Sequence, residues 1–169
     1  MTYRALNNMQ AVDLDSLDSS SATKEYPLGT IISVNDTSKG AASEFTYVKA
    51  HAGFATVGTP FEIVAGSGGD AEVVTKAIAT LASGAKIGFN TTAITTAHYV
   101  WAQTAGELTA AAKAGITAGD FVKVDNTETD VETDGTTLTV NSIAMPKTST
   151  ASSAVTLAII PGRTVTISA

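Results

Sequence analysis

The sequence reads as a mainly β protein: a compact β-barrel or sandwich-like domain with one short helix and an extended N-terminal arm. Two observations carry that reading. From Tyr26 onward, short runs rich in Val, Ile, Thr, Phe and Tyr alternate with clusters of Gly, Asn, Asp, Pro and Ser, the pattern of strands separated by turns. Composition agrees, with 28 Ala and 27 Thr among 169 residues, so hydroxyls and methyls rather than ions dominate. Charged residues are 15%, below the usual quarter or so. A domain of this length hides about 70% of its unfolded surface, so a core forms without crosslinks. There is no Cys, which removes disulfides, thiol nucleophiles and Cys-based zinc sites.

Taken in order, residues 1–25 form the arm and 26–169 the β-rich domain. The stretch Asp13-Leu-Asp-Ser-Leu-Asp-Ser-Ser-Ser-Ala-Thr23 is Ser/Asp-rich with two isolated leucines. It cannot bury enough apolar area to offset an ordering cost of about 1–2 kcal/mol per residue on its own. Its apolar residues therefore read as handles. Leu6, Met9, Leu14 and Leu17 are the expected contacts with a neighbouring subunit or a larger partner surface, the alternative being a frayed terminus.

Strands are expected at Thr30–Val34, Glu44–Ala50, Pro60–Ala65, His98–Gln103, Asp120–Val124, Thr136–Ile143 and Ser153–Ile160. In one of them Phe121, Lys123 and Asp125 point one way and Val122 and Val124 the other. Asp134-Gly135, between two Thr/Val-rich runs, predicts a hairpin turn. The one helix is expected over 70–84, where Asp70 serves as N-cap, Gly84 follows the end, and Val74 with Ile78 and Val73 with Ala77 and Leu81 fall at helical spacing. Ala110–Ala114 is a second, shorter helical candidate. A weak internal echo links Tyr47-Val-Lys-Ala50 and Phe61-Glu-Ile-Val64 to Tyr99-Val-Trp-Ala102 and Phe121-Val-Lys-Val124, each aromatic run leading through Gly to a Phe-led run.

Chemistry-bearing motifs are sparse. Gly66-Ser-Gly-Gly-Asp-Ala71 has the G-x-G-x-x-A form that cradles a pyrophosphate at a helix N-terminus. The acid expected about 20 residues later to hold a ribose is missing, and a Gly-rich connection is the simpler account. Asp130-Val-Glu-Thr-Asp-Gly135 approaches a calcium loop, but Glu132 stands at the third ligand position and Asn141 where the closing acid belongs. An acid-decorated turn explains it. His51 and His98 are the only imidazoles; neither shows metal-ligand spacing, and no Ser lies in a nucleophile elbow. Trp101 beside Tyr99 reads as core or interface packing. The expectation is a protein without catalytic residues, cofactor or metal: not an enzyme. A net charge of −6 argues against nucleic-acid binding. The start lacks the pattern of a signal peptide, and Ala154–Ile160 is far too short to cross a bilayer. No membrane partner is expected.

Four pieces of the chain together resemble a known group. Tyr26-Pro-Leu-Gly-Thr-Ile-Ile, Glu44-Phe-Thr-Tyr-Val-Lys-Ala50, His98-Tyr-Val-Trp-Ala-Gln-Thr-Ala-Gly106 and Gly115-Ile-Thr-Ala-Gly-Asp-Phe-Val-Lys-Val124 follow in the order met in tailed-bacteriophage capsid decoration (cement) and virion structural proteins. The resemblance spans about residues 26 to 125. Thr104-Ala-Gly106 departs from it, where a more β-branched strand end is expected, and Leu81-Ala-Ser-Gly84 looks like an insertion. The resemblance implies a structural virion protein made in the host cytoplasm and bound to the outer capsid surface. Its partners would be the major capsid protein and itself, as a homotrimer in preference to a dimer. Other virion β modules, of tail tube or fibre, and a carbohydrate-binding surface module are the alternatives.

Overall fold

The computed structural model describes residues 3–5, 12–36, 41–65, 73–76, 85–125, 130–139, 142–149, 153–160 and 164–165. It is mainly β. In chain order come β1 (Tyr3–Ala5), β2 (Ser20–Ser21), β3 (Ile31–Asp36), β4 (Ala41–Ala50), β5 (Pro60–Ala65), β6 (Val73–Lys76), β7 (Ala85–Asn90) and the long β8 (Tyr99–Ala111). They are followed by β9 (Phe121–Val124), β10 (Val131–Gly135), β11 (Ala144–Pro146), β12 (Ala154–Ile159) and β13 (Thr164–Val165). Among the described residues the one helical element is a 3₁₀ turn, Leu14–Asp18, capped by the Asp13 carboxylate on the Asp15 amide.

The strand pairings close two rings. β4 lies parallel to β6; β6 pairs with β5, β5 with β7, β7 with β8, and β8 returns to β4, these last four antiparallel. β8 also pairs with β12, β12 with β11, β11 with β9 and β9 with β10, again antiparallel. A parallel bridge between Ala112 and Val131 brings β10 back to the end of β8, and the Lys113 amide donates to the Val131 carbonyl there at 2.8 Å. Both rings have one connectivity. Each runs first strand, third, second, fourth, fifth, with the first and third parallel. β8 is the fifth strand of one ring and the first of the other. The echo in the sequence falls on equivalent places: Tyr47 and Tyr99 lie on the first strands, and Phe61 and Phe121 stand at the start of the second strands.

A ring of five strands leaves room only for side chains. Val48, Ala50, Phe61, Ile63, Val100 and Ala102 are buried in the first ring, continuous with Leu108, Ala110, Val122, Val131, Ile143, Val155 and Leu157 of the second. Gly88 is small for a reason: a Cβ there would stand 3.0 Å from both Ala102 Cβ and the Phe61 ring. The connections 51–59 and 91–98 are fastened by buried Asn90. Its Oδ1 accepts from the Thr59 amide (2.8 Å) and its Nδ2 donates to the carbonyls of Thr56 and Thr92 (2.9 and 2.8 Å).

At five places the structure corrects expectations drawn from local sequence. Within 70–84, Val73–Lys76 is strand β6 rather than helix; three consecutive β-branched residues suit a ladder, and this strand is needed to join β4 to β5. The rest of that helix expectation, and the Gly66–Ala71 motif, lie outside the described residues. Ala110–Ala114 is not helical either: Ala110 and Ala111 end β8 and Ala112 forms the bridge that closes the second ring. The hairpin expected at Asp134-Gly135 is absent, because β10 pairs backward with β9 and Gly135 (φ +89°) ends it opposite Phe121. The described part of the strand expected over Thr136–Ile143 is irregular, the next strand being β11. Finally, the alternation stops at Val124. Asp125 is 4% exposed, turned inward to an ion pair with Lys113.

Candidate interaction face

The outer face of β4 and β8 carries an aromatic cluster separate from the ring interiors. In the β4–β8 ladder Tyr47 stands opposite Trp101, Lys49 opposite Tyr99 and Phe45 opposite Gln103, and antiparallel partners share a face. Tyr47 and Trp101 have ring centroids 4.9 Å apart, and Tyr47 stacks near-parallel with Tyr99 at 6.1 Å and 14°. Tyr26 meets the edge of Tyr47 at 5.2 Å and leans on Trp101 at 5.3 Å. The Lys49 ammonium lies 5.9 Å over the Tyr99 ring. Ile32, Val34 and Phe45 complete the apolar floor.

This face is covered by the chain's own N-terminal segment. Leu17 is fully buried on it, with Val12, Leu14 and Leu28 packed alongside. Trp101 is 1% exposed and Tyr47 2%. Polar contacts register the cover: Trp101 Nε1 donates to Ser16 Oγ at 3.2 Å, and Thr91 Oγ1 to the Leu17 carbonyl at 3.0 Å. β2 adds a short ladder, Ser20 opposite Val100 and Ser21 opposite Tyr99. The Tyr26 hydroxyl accepts from the Asp13 amide (3.0 Å), and the Tyr47 hydroxyl from the Glu25 amide (3.2 Å). Burial raises the Tyr47 hydroxyl above its ordinary pKa, against the smaller opposing effect of the Glu25 amide.

Here the expected arm contacts find their places. Leu17 is a plug in its own chain, and Leu14 is half-buried beside it. Residues 12–25 thus fold back on their own chain. The physical reason is the unshielded aromatic floor, which gives the isolated leucines a partner within the same molecule. Leu6 and Met9 lie outside the described residues.

Trp101-Ala-Gln103 leads into a bulge. The β4–β8 register shifts between Glu44 and Phe45, which face Ala105 and Gln103, so Thr104 is the bulged residue. Buried Gln103 points its Nε2 at Ser43 Oγ (3.3 Å) and the carbonyls of Ala105 and Glu107 (3.1 Å each). Gly106 follows with φ +96°, where a Cβ would stand 2.7 Å from the Ala42 carbonyl oxygen. At Gly106 the ladder with β4 ends and the ladder with β12 begins. Thr104-Ala-Gly106 is thus the point where β8 passes from one ring to the other.

The remaining sequence candidates are scattered. In Asp130–Gly135, Asp134 Oδ2 accepts from the hydroxyls of Thr139 and Ser142 at 2.5 and 2.6 Å. Glu132 pairs with Lys123 at 3.4 Å and lies 3.9 Å from Lys113. Among the described residues no group of three His, Cys, Asp or Glu could hold a metal ion. No helix among them is long and apolar enough to cross a membrane. His51 is exposed, while His98 is half-buried and accepts the Ala50 amide on its carbonyl (2.8 Å). Local sequence did not reveal the roles of Asn90, Gln103 and Tyr26: Asn90 ends a strand, Gln103 precedes a bulge and Tyr26 lies in a connection, and each has at least one partner distant in the chain.

Comparison with known proteins finds no match to any family model, to any curated protein or to any solved structure.

Proposed function

We propose that this chain is a structural virion protein that binds the outer surface of a phage capsid and stabilises it, as a homotrimer contacting the major capsid protein, in the virion rather than on a membrane and without enzymatic activity. One observation carries the reading. Three of the four pieces that resemble decoration proteins, those containing Tyr26, Tyr47 and Tyr99-Val-Trp101, meet in a single aromatic cluster, and the fourth supplies β9 of the second ring. Residues shared with that group therefore specify one architecture rather than scattered strands. Two closed rings with few exposed ladder edges also suit a protein that must sit on a lattice without aggregating. The carbohydrate-binding alternative has less support, because Trp101 and Tyr47 lie beneath the N-terminal segment instead of forming an open platform.

The test adds the purified protein to virus capsids lacking it, followed by sedimentation and cryo-electron microscopy. Saturable binding with density at repeated sites on the capsid exterior is expected. Density confined to the tail, or no binding at tens of micromolar, overturns the proposal.

A further inference from the structure

The two rings and β3 form a body in which residues up to Ser21 take no part in ring closure. The N-terminal strap, residues 12–21, lies over the body as an added layer. Leu17 is its one fully buried apolar side chain, and two short-range polar contacts, Trp101 to Ser16 and Thr91 to the Leu17 carbonyl, fix its register. Between strap and body run Ala22-Thr-Lys-Glu25, all four exposed. Tyr26 restarts the body, its ring packed on Tyr47 and Trp101; three residues on, the Gly29 amide donates to the Tyr47 carbonyl. The layer thus has a defined end, an exposed connection and a receptor surface built for it.

We infer that this strap is exchangeable between copies, so that the aromatic face of one chain receives Leu17 and Ser16 from a second copy of the same chain. The receptor on every copy is complementary to this segment. Exchange therefore preserves each contact and changes only which chain supplies it, the condition under which swapping costs least. The exposed residues 22–25 absorb the change of direction without breaking a ring. The occupant is a second copy, and the exchange does not depend on capsid binding.

The chain's lack of cysteine makes a direct test available. Ser21 and Tyr99 are opposed in the β2–β8 ladder, and antiparallel partners hold Cα atoms about 4.5–5.5 Å apart, within disulfide range. The double variant Ser21→Cys, Tyr99→Cys is oxidised in the full chain over a range of concentrations and separated by mass without reductant. Exchange yields covalent dimers or trimers that increase with concentration and return to monomer on reduction. Adding Leu17→Asp removes them. Monomer at every concentration overturns the inference, and so do oligomers that persist with Leu17→Asp. Because Tyr99→Cys disturbs the cluster, the unmodified chain is followed in parallel by light scattering. A mass that remains that of one chain up to high concentration also overturns it.

Discussion

Phe54 and Ile94 exchange both backbone hydrogen bonds, amide to carbonyl at 2.9 Å in one direction and 2.8 Å in the other. Both side chains are buried, although both residues lie in connections rather than strands. On one side of them Ala50 pairs with Ala97 and His98, and on the other Gly58 and Thr59 pair with Asn90. The antiparallel ladders of β4–β8 and β5–β7 are therefore joined through a pair of loops that behave as a continuation of the sheet. Replacing Phe54 with Ala is expected to cost about 3–5 kcal/mol, as for a large buried aromatic. Urea unfolding of the variant checks this, and a cost under 1 kcal/mol would show that the loops are not part of the core.

Gly58 is where that loop touches the second ring. It has φ +79°, its carbonyl accepts from the Ala111 amide at 3.0 Å, and a Cβ on it would stand 2.8 Å from Ala110 Cα. Gly58→Ala is expected to lose about 3 kcal/mol or more, at the severe end of single substitutions. Gly119→Ala is the matched control: φ is +91° but nothing lies within 4 Å. It should show only the backbone cost of about 1–2 kcal/mol. Denaturant titration of the pair separates close approach from conformational strain.

Asn90 makes three hydrogen bonds from a fully buried position. Asn90→Ala strands the Thr59 amide and two carbonyls, and a loss of at least about 1–3 kcal/mol is expected. Asn90→Asp is the sharper variant, because the carboxylate keeps the acceptor for Thr59 but loses both donors. It should destabilise more at pH 7 than at pH 4, and melting curves at the two values give the comparison.

The raised pKa of Tyr47 has a defined sign. Above tyrosine's ordinary value near 10 the unfolded chain releases this proton while the folded chain keeps it. The folded state then binds more protons, and stability falls as pH rises from about 10 toward the folded value. Tyr47→Phe should flatten that part of the alkaline decline relative to the parent. Equal slopes in the two proteins between pH 9.5 and 11, measured as Tm against pH at roughly half-unit steps, would exclude Tyr47 as its source.

Leu17 offers an optical readout through the single tryptophan. Leu17→Ala removes the plug beside Trp101, with an expected cost of about 2–5 kcal/mol if the site stays dry. A shift of Trp101 emission to longer wavelength with unchanged far-ultraviolet circular dichroism would mark a strap that has loosened over an intact body.

The fold class and six strands, β3, β4, β5, β8, β9 and β12, were legible because they depend on local pattern. Pro60–Ala65 alternates and ends in glycines, and β5 has those bounds. Misreadings occurred where tertiary pairing overrides local preference. Val73–Lys76 carries a helical spacing of apolar residues, yet its place between β4 and β5 makes it a strand. Ala110–Ala112 has high helix propensity, but pairing with β12 and with Val131 holds it extended at the end of β8. The aromatic face was half legible. Tyr99 and Trp101 sit two apart on an evident strand, whereas Tyr26 and Leu17 reach Trp101 from 75 and 84 residues earlier in the chain, and no local spacing signals such a contact.

Because β8 runs from the first ring into the second, with Tyr99–Ala105 laddered to β4 and Gly106–Ala111 to β12 over one continuous core, neither ring is a separable unit of folding. Opening one exposes core side chains packed against the other, so partial unfolding from either end is penalised. Such a chain is expected to melt in one calorimetric transition, with its slowest-exchanging amides along Val100–Ala110. The order of events in folding is constrained too. The first half of β8 must find β4, far behind it, and the second half β12, far ahead, and searches of that range are slow. The same arrangement makes unfolding slow, and a long-lived native state is a kinetic form of durability distinct from a deep free-energy minimum.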